Sequence, residues 1–246
     1  MRIIVTDTYE EMSDMAINYL MPQMIKKHRV NLAITAGSTP IRMYEKLVPL
    51  VKDKRYFDNV HYYNFDEIPF NNSDREGVTI SNLRKYYYSK ANIKEEQIHK
   101  LTIDNYQHYD EMIKQDGGLD LLILGLGYDV HFCGNSPRKT KWDNLTVKLP
   151  IFKEHFQSIA NSEFDGELAA VPDYFVTMGP RSVMMARQLV MIVNGKHKAS
   201  IVKRVIEGEI DEMIPATILK LHPDLTIIMD QDAASELDST TLEEWR

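Results

Sequence analysis

The sequence predicts an α/β protein with a doubly wound, mostly parallel sheet and helices on both faces, a Rossmann-like arrangement. Three observations carry that expectation. Short apolar runs alternate with longer segments of helical spacing, in the order β-α-β-α. The strand-like runs are apolar nearly throughout instead of at every second position, as strands buried on both faces must be. Glycines and polar side chains follow run after run, where an open α/β sheet places its ligand crevice.

Ile3-Ile4-Val5 is the first strand. Residues 9–28 follow with apolar positions at Met12, Met15, Ala16, Leu20 and Met24, a helical spacing. Asp7 and Thr8 offer N-cap oxygens. Residues 30–35 form the second strand, then come Ala36-Gly37-Ser38-Thr39-Pro40 and a helix through Met43, Tyr44 and Leu47. The loop and first helical turn present unpaired N–H groups at a positive dipole end, which suits a phosphate. Ser38 or Thr39 can equally be a plain N-cap, and both readings can hold together. Pro40 fits the first helical position, where its missing N–H costs nothing. The loop is neither a Walker loop nor a dinucleotide fingerprint, since it lacks the Gly-Lys-Ser/Thr ending and three spaced glycines.

His61-Tyr62-Tyr63-Asn64-Phe65 is the third strand, and Asp66-Glu67 stand just past it. Two carboxylates there are ordinarily solvated loop charges. Desolvated by Phe65 and Phe70, however, one would have its pKa raised toward that of a general base. Residues 71–77 read as a polar surface loop, and helical pieces at 80–88 and 105–115 lead to the strand at 119–124. The stretch from Gly125 through Asp129, Val130, His131, Cys133, Asn135 and Ser136 to Pro137 then places a carboxylate, an imidazole, a thiol and an amide at a strand end. Local composition alone slightly favours a tight turn in which Asp129 and Asn135 only cap backbone groups.

Residues 138–144, basic and polar around Trp142, are either a lid or a solvated loop. Val176-Thr177-Met178-Gly179-Pro180 precedes a helix at 181–186, and residues 188–193 are another buried strand. Asn194-Gly195-Lys196-His197-Lys198-Ala199 opens a helix through Ile201, Val202, Val205 and Ile206. A lysine in a first helical turn opposes the dipole and needs an anion or a solvent-facing pose. A short helix at 215–221, a strand at 225–229 and a turn at 233–237 complete the chain.

The totals set bounds. With 246 residues, 43% hydrophobic and 26% charged, the chain can bury a sizeable core, and no repeat or linker divides it, so residues 1–246 are expected to form one domain. A net charge of −7 argues against general affinity for nucleic acid or anionic membrane. It leaves room for an anionic ligand held by local amides and a cation. The single cysteine, Cys133, rules out an internal disulfide and fits a reducing compartment. No apolar run approaches a membrane span, and Met1-Arg2-Ile3-Ile4-Val5 starts a strand instead of a signal peptide, so the expected location is cytoplasmic.

Five ordered blocks resemble the glucosamine-6-phosphate deaminase (isomerase) and 6-phosphogluconolactonase superfamily: Thr35-Ala36-Gly37-Ser38-Thr39-Pro40, Phe65-Asp66-Glu67, Gly125-Leu126-Gly127-Tyr128-Asp129-Val130-His131, Val176-Thr177-Met178-Gly179 and Gly195-Lys196-His197-Lys198-Ala199. The segments Leu219-Lys220-Leu221-His222-Pro223 and residues 230–237 look closer to the deaminases. The resemblance implies a sugar phosphate held by Gly37, Ser38 and Thr39 with Lys198 as its cation. Asp66 would move a proton between C2 and C1, His131 would open the pyranose ring and Asp129 would orient it. It implies proton transfers without metal or cofactor, a small-molecule sugar-phosphate partner, and compatibility with a homo-oligomer.

Two positions depart from the family pattern. Ser136 stands where deaminases carry a glutamate paired with the histidine, and is the candidate ring-opening partner here. Val130 stands where a glycine is usual; a β-branched residue is strained there if the position needs positive φ. The basic motif of the allosteric region of hexameric deaminases has no counterpart between Val147 and Val171. The leading expectation is an amino-sugar-phosphate isomerase/deaminase releasing ammonia. The alternatives are a lactone hydrolase, in which His131 activates water, and a non-catalytic sugar-phosphate sensor.

Overall fold

The computed structural model describes residues 1–71 and 75–245. β1 (Arg2–Thr6) leads into α1 (Tyr9–Met24), β2 (Val30–Ala33) into α2 (Ile41–Val51), and β3 (Val60–Tyr63) into the two-residue β4 (Asp66–Glu67). Next, α3 (Val78–Leu83) continues through a π turn at Arg84–Tyr88 into α4 (Ser89–Ala91), followed by β5 (Ile98–His99) and α5 (Tyr109–Gln115). β6 (Leu121–Leu124), β7 (Val147–Pro150), α6 (Lys153–Glu163), β8 (Tyr174–Thr177) and α7 (Pro180–Met184) come next. The chain ends with β9 (Leu189–Val193), α8 (Ala199–Glu207), β10 (Leu225–Asp230), α9 (Gln231–Ala234) and α10 (Ser239–Trp245).

Seven strands pair in the order β1-β10-β9-β6-β2-β3-β5, and every neighbouring pair is parallel. The expected doubly wound α/β sheet is therefore present. Strand side chains alternate between two cores, as the period of two requires. Leu122 and Leu124 pack with Ile113 of α5, Val183 of α7 and Val202 of α8. Leu121 and Ile123 face the other way, toward Met12 and Leu20 of α1 and Met43 and Leu47 of α2. Both faces are covered, which explains the unbroken apolar run of β6.

The topology gathers the candidate residues. From β2 the chain moves outward through β3 and β5, then returns to the other side of β2 as β6 and moves through β9 and β10. β2 and β6 thus flank the switch point, where an open sheet splays its loops into a ligand crevice. Gly37–Thr39 follow β2, the Gly125–Ser136 stretch follows β6, Asp66 follows β3 and Lys198 follows β9. Four adjacent strands deliver all the expected site residues to one edge.

A second sheet, β4-β8-β7, was not expected. It is antiparallel and pairs Asp66 with Thr177 and Val147 with Thr177 on the two sides of β8. β4 is too short to show a pattern, and β7 carries Lys148 and Pro150, which mask a strand signal. Boundaries also moved. The first helix, expected to residue 28, ends at Met24, because Ile25 is exposed and no later residue returns to its buried stripe. Pro40 is the N-cap of α2 instead of its first residue, residues 215–221 form a 3-10 helix, and α10 was not expected. The loop expected at 71–77 falls in part, at residues 72–74, outside the described residues. Among the described residues no helix is long and apolar enough to cross a membrane.

Candidate active site

At the end of β2, Gly37 adopts φ 96°, a left-handed conformation that glycine enters without strain. Among the described residues no hydrogen bond is recorded from the amides of Gly37, Ser38 or Thr39, and Gly37 and Ser38 are exposed. These donors remain open to an oxyanion. The first turn of α2 differs from expectation, because part of it is already satisfied. Ile41 N donates to Ser38 O at 3.3 Å, and Arg42 N donates to the Tyr9 hydroxyl at 3.2 Å. Tyr9, at the start of α1, in turn donates to Thr39 O at 2.8 Å. The unpaired amides therefore lie in the loop, while part of the helix end is already satisfied.

Asp66 is partly buried in β4, and desolvation pushes its carboxyl up to about 6, opposed by a hydrogen bond from Thr79 and by the charge of His131. Thr79 Oγ1 donates to Asp66 Oδ1 at 3.1 Å. Such a carboxyl can exchange a proton near neutral pH. Glu67, on the opposite face of the strand, is buried at 4% exposure. Its oxygens accept from Ile68 N at 3.0 Å, Thr79 N at 2.7 Å and Ile80 N at 3.1 Å. Burial pushes it up to about 8 against the pull of these amides.

After β6 the chain turns back on itself: Gly127 N donates to His131 O at 2.8 Å and Val130 N to Gly127 O at 3.2 Å. Only glycine fits at 127, since a Cβ there would lie 2.1 Å from the His131 ring. The turn brings Asp129 Oδ1 onto His131 Nδ1 in a short contact. Burial alone would raise Asp129, but the His131 bond and charge and the local amides hold it down at about 2. It is ionised at any working pH, and it fixes the imidazole so that Nε2 carries the exchangeable chemistry. Val130 does adopt φ 63°, with its side chain buried at 2% exposure.

The rest of the loop is stitched to β8. Gly134 N donates to Thr177 Oγ1 at 2.9 Å, and Asn135 Nδ2 donates to Met178 O at 2.9 Å. Cys133 is buried, and burial with the nearby Asp66 charge drives its thiol up. Ser136 is not brought onto His131; the recorded partner of that ring is Asp129, while Ser136 O accepts from Lys139 N at 3.2 Å. Within residues 138–144, Trp142 packs partly buried against the core, and Asn144 O accepts from Arg181 N at 3.1 Å.

Lys198 is buried at 7% exposure just ahead of α8. Its Nζ donates to Leu126 O at 2.7 Å and lies 3.6 Å from the Tyr128 ring centre. Desolvation brings it down to about 8, with Asp129 acting the other way. Thr79 and Tyr128 escaped the sequence reading: one is a threonine in a short helix of mixed polarity, the other an aromatic in a turn, and neither pattern points to a site. Among the described residues no group of three or more His, Cys, Asp or Glu could hold a metal ion. A cavity of about 910 Å³ lies elsewhere, between α5 and α7, lined by Asp110, Ile113, Leu119, Met178, Ser182 and Met185 among others. It opens beside the start of β6, away from the strand ends that carry the polar chemistry.

Residues 7–227 match the family described as glucosamine-6-phosphate isomerases/6-phosphogluconolactonase. The glucosamine-6-phosphate deaminase of Thermoanaerobacter pseudethanolicus is 33% identical over 252 residues, covering 99% of this chain and 98% of its own. That of Clostridium acetobutylicum is 33% identical over 252 residues, covering 96% and 100%. A solved monomeric glucosamine-6-phosphate deaminase has a TM-score of 0.84 at 25% identity, covering 96% of this chain and 100% of its own. The 6-phosphogluconolactonase from Trypanosoma brucei shares the fold, with a TM-score of 0.71 at 17% identity over 96% of this chain and 98% of its own.

Proposed function

The chain belongs to the glucosamine-6-phosphate isomerase/6-phosphogluconolactonase family, and from that premise we propose that it converts a hexosamine 6-phosphate, such as glucosamine 6-phosphate, to the ketose 6-phosphate and ammonia, with net consumption of one water. The observation that carries the reading is Asp66, a carboxyl titrating near 6 at the same sheet edge as the Asp129–His131 pair. The amides of Gly37, Ser38 and Thr39 receive the phosphate, with Lys198 as the cation. His131, oriented by Asp129, passes the anomeric hydroxyl proton to the ring oxygen and opens the pyranose. Asp66 removes the proton from C2 to form an enolamine and returns it to C1, leaving an iminium at C2. Water adds to that carbon, ammonia departs, and the ketone remains.

Incubation with glucosamine 6-phosphate and galactosamine 6-phosphate, following ammonia and ketose phosphate, tests this directly. Turnover of one of them, abolished in Asp66→Asn, is expected; no turnover of either overturns the reading. Lactone hydrolysis is the second reading, favoured by one observation: His131 is paired with Asp129 and not with Ser136, a dyad sufficient to activate water. Activity on freshly prepared 6-phosphogluconolactone, without ammonia release from the amino sugars, would select it.

A further inference from the structure

Beneath Asp66 lies a support that the proposed chemistry does not use. Gly77, the N-cap residue of α3, has no side chain to cap the helix, and the cap comes from β4 instead. Glu67 reaches across, accepting from the Thr79 and Ile80 amides at 2.7 and 3.1 Å. A Cβ at Gly77 would lie 2.3 Å from the Glu67 carboxyl carbon, so the glycine makes room for it. The residue whose amide Glu67 grips most tightly is the one whose hydroxyl holds Asp66, at 3.1 Å. Threonine is β-branched and divides between two χ1 rotamers in a helical turn, so a fixed amide leaves its hydroxyl few directions, and the one adopted meets Asp66.

We propose that Glu67 and Thr79 are positioning residues for Asp66: Glu67 sets the first turn of α3, and Thr79 in that turn commits one Asp66 oxygen to a hydrogen bond, leaving Oδ2 for the substrate. Among the described residues Oδ2 of Asp66 has no recorded hydrogen bond. The proposal rests on Asp66 being the proton-transfer carboxylate.

The sign of the effect follows from the chemistry. A donor to a carboxylate favours its charged form, so losing the Thr79 hydroxyl raises the Asp66 pKa further. The other groups facing Asp66 are Glu67 on its own strand, His131 and Cys133 on the loop after β6, and Glu163 at the end of α6. None of them is altered in Thr79→Val.

The test uses Thr79→Val, Thr79→Ser and Glu67→Gln in the full chain. Two quantities are read: the carboxyl titration of Asp66 by carbon NMR on aspartate-labelled protein, its resonance identified by loss in Asp66→Asn, and the pH dependence of kcat/KM for the amino sugar phosphate. Thr79→Val is expected to raise the carboxyl midpoint by roughly one unit, and the acidic limb of the rate profile with it. Activity at pH 6 then falls several-fold while KM above pH 8 stays unchanged. Thr79→Ser restores both midpoints. Glu67→Gln moves them in the same direction. Glu67, pushed up to about 8, is neutral near pH 6, so no charge is lost there. An NH2 group replaces the oxygen that accepts the Ile80 amide and loosens the turn that holds Thr79. A Thr79→Val midpoint equal to that of the unaltered protein overturns the proposal, however much its activity drops. If no hexosamine phosphate is turned over at all, the proposed reaction fails, and the carboxyl titration still decides the support.

Discussion

Lys198 Nζ donates to the Leu126 carbonyl at 2.7 Å, so the cation that follows β9 is tied to the loop that follows β6. The bond holds the ammonium in a site whose desolvation lowers it to about 8. An arriving phosphate dianion would favour the charged form, so binding should take up a proton above that pH. KM for the sugar phosphate is expected to rise as pH climbs through about 8. Lys198→Met should show a high KM without that dependence. A KM flat from pH 7 to 9 in the unaltered protein would contradict it.

Asp129 should be needed as a charge and not only as a shape. Held near 2, it stays ionised over the whole working range and leaves no limb in the pH profile. Asp129→Asn keeps the volume but loses the anion that fixes the His131 tautomer, and kcat is expected to drop on the order of a hundredfold or more. Steady-state kinetics of that single variant checks it.

Val130 has φ 63°, a conformation costing a β-branched residue about 1–2 kcal/mol. Its buried side chain contributes in the opposite direction, about 1.5–3 kcal/mol. Val130→Gly therefore loses packing but gains conformational relief, whereas Val130→Ala loses most of the packing and keeps a Cβ at positive φ. The glycine variant is expected to melt at or above the alanine variant. At a right-handed position glycine would instead fall about 1 kcal/mol behind alanine.

Thr177 accepts the Gly134 amide at 2.9 Å and is fully buried. Thr177→Val keeps the volume and leaves that amide without its acceptor, a loss of about 1–3 kcal/mol. The melting temperature should fall. Since Gly134 belongs to the loop that carries His131, kcat should fall more than KM changes. Unchanged kcat would show that the loop keeps its shape without β8.

The edge of the sheet carries a histidine pair that should weaken the fold in acid. His61 Nδ1 lies 2.9 Å from His99 Nε2, with Arg29 3.1 Å from the same nitrogen. Desolvation, then the charges of Arg29 and His99, bring His61 from its ordinary 6.5 down to about 4. Between those values the unfolded chain takes up a proton that the folded one refuses, so this contribution to stability declines as pH falls from about 6.5 to about 4. Asp66 and Glu67, raised by burial, act with the opposite sign. The measurement is therefore a comparison of melting temperatures at pH 7 and pH 4.5. His61→Gln should lose less between the two than the unaltered protein.

Much of this site was legible one residue at a time. Gly37, Asp66, Asp129, His131 and Lys198 each follow a strand, and strands buried on both faces announce themselves as unbroken apolar runs such as Leu121–Leu124. The positive φ at Val130 was foreseeable only as a condition, because backbone conformation is decided by the turn that Gly127 and His131 close.

Period-two and period-3.6 patterns are local, and hydrophobic burial enforces them wherever the chain goes. The sequence by itself therefore determined the α/β class, the parallel sheet and the set of polar loops that follow its strands. Contacts between distant segments leave no such periodicity. Only the tertiary structure decided that Thr79 hydrogen-bonds Asp66, that Tyr9 occupies the first turn of α2, that β7 and β8 form a second sheet, and that His131 pairs with Asp129 and not Ser136. Each of these depends on where a hydrogen-bonding group finds its partner after the helices have packed.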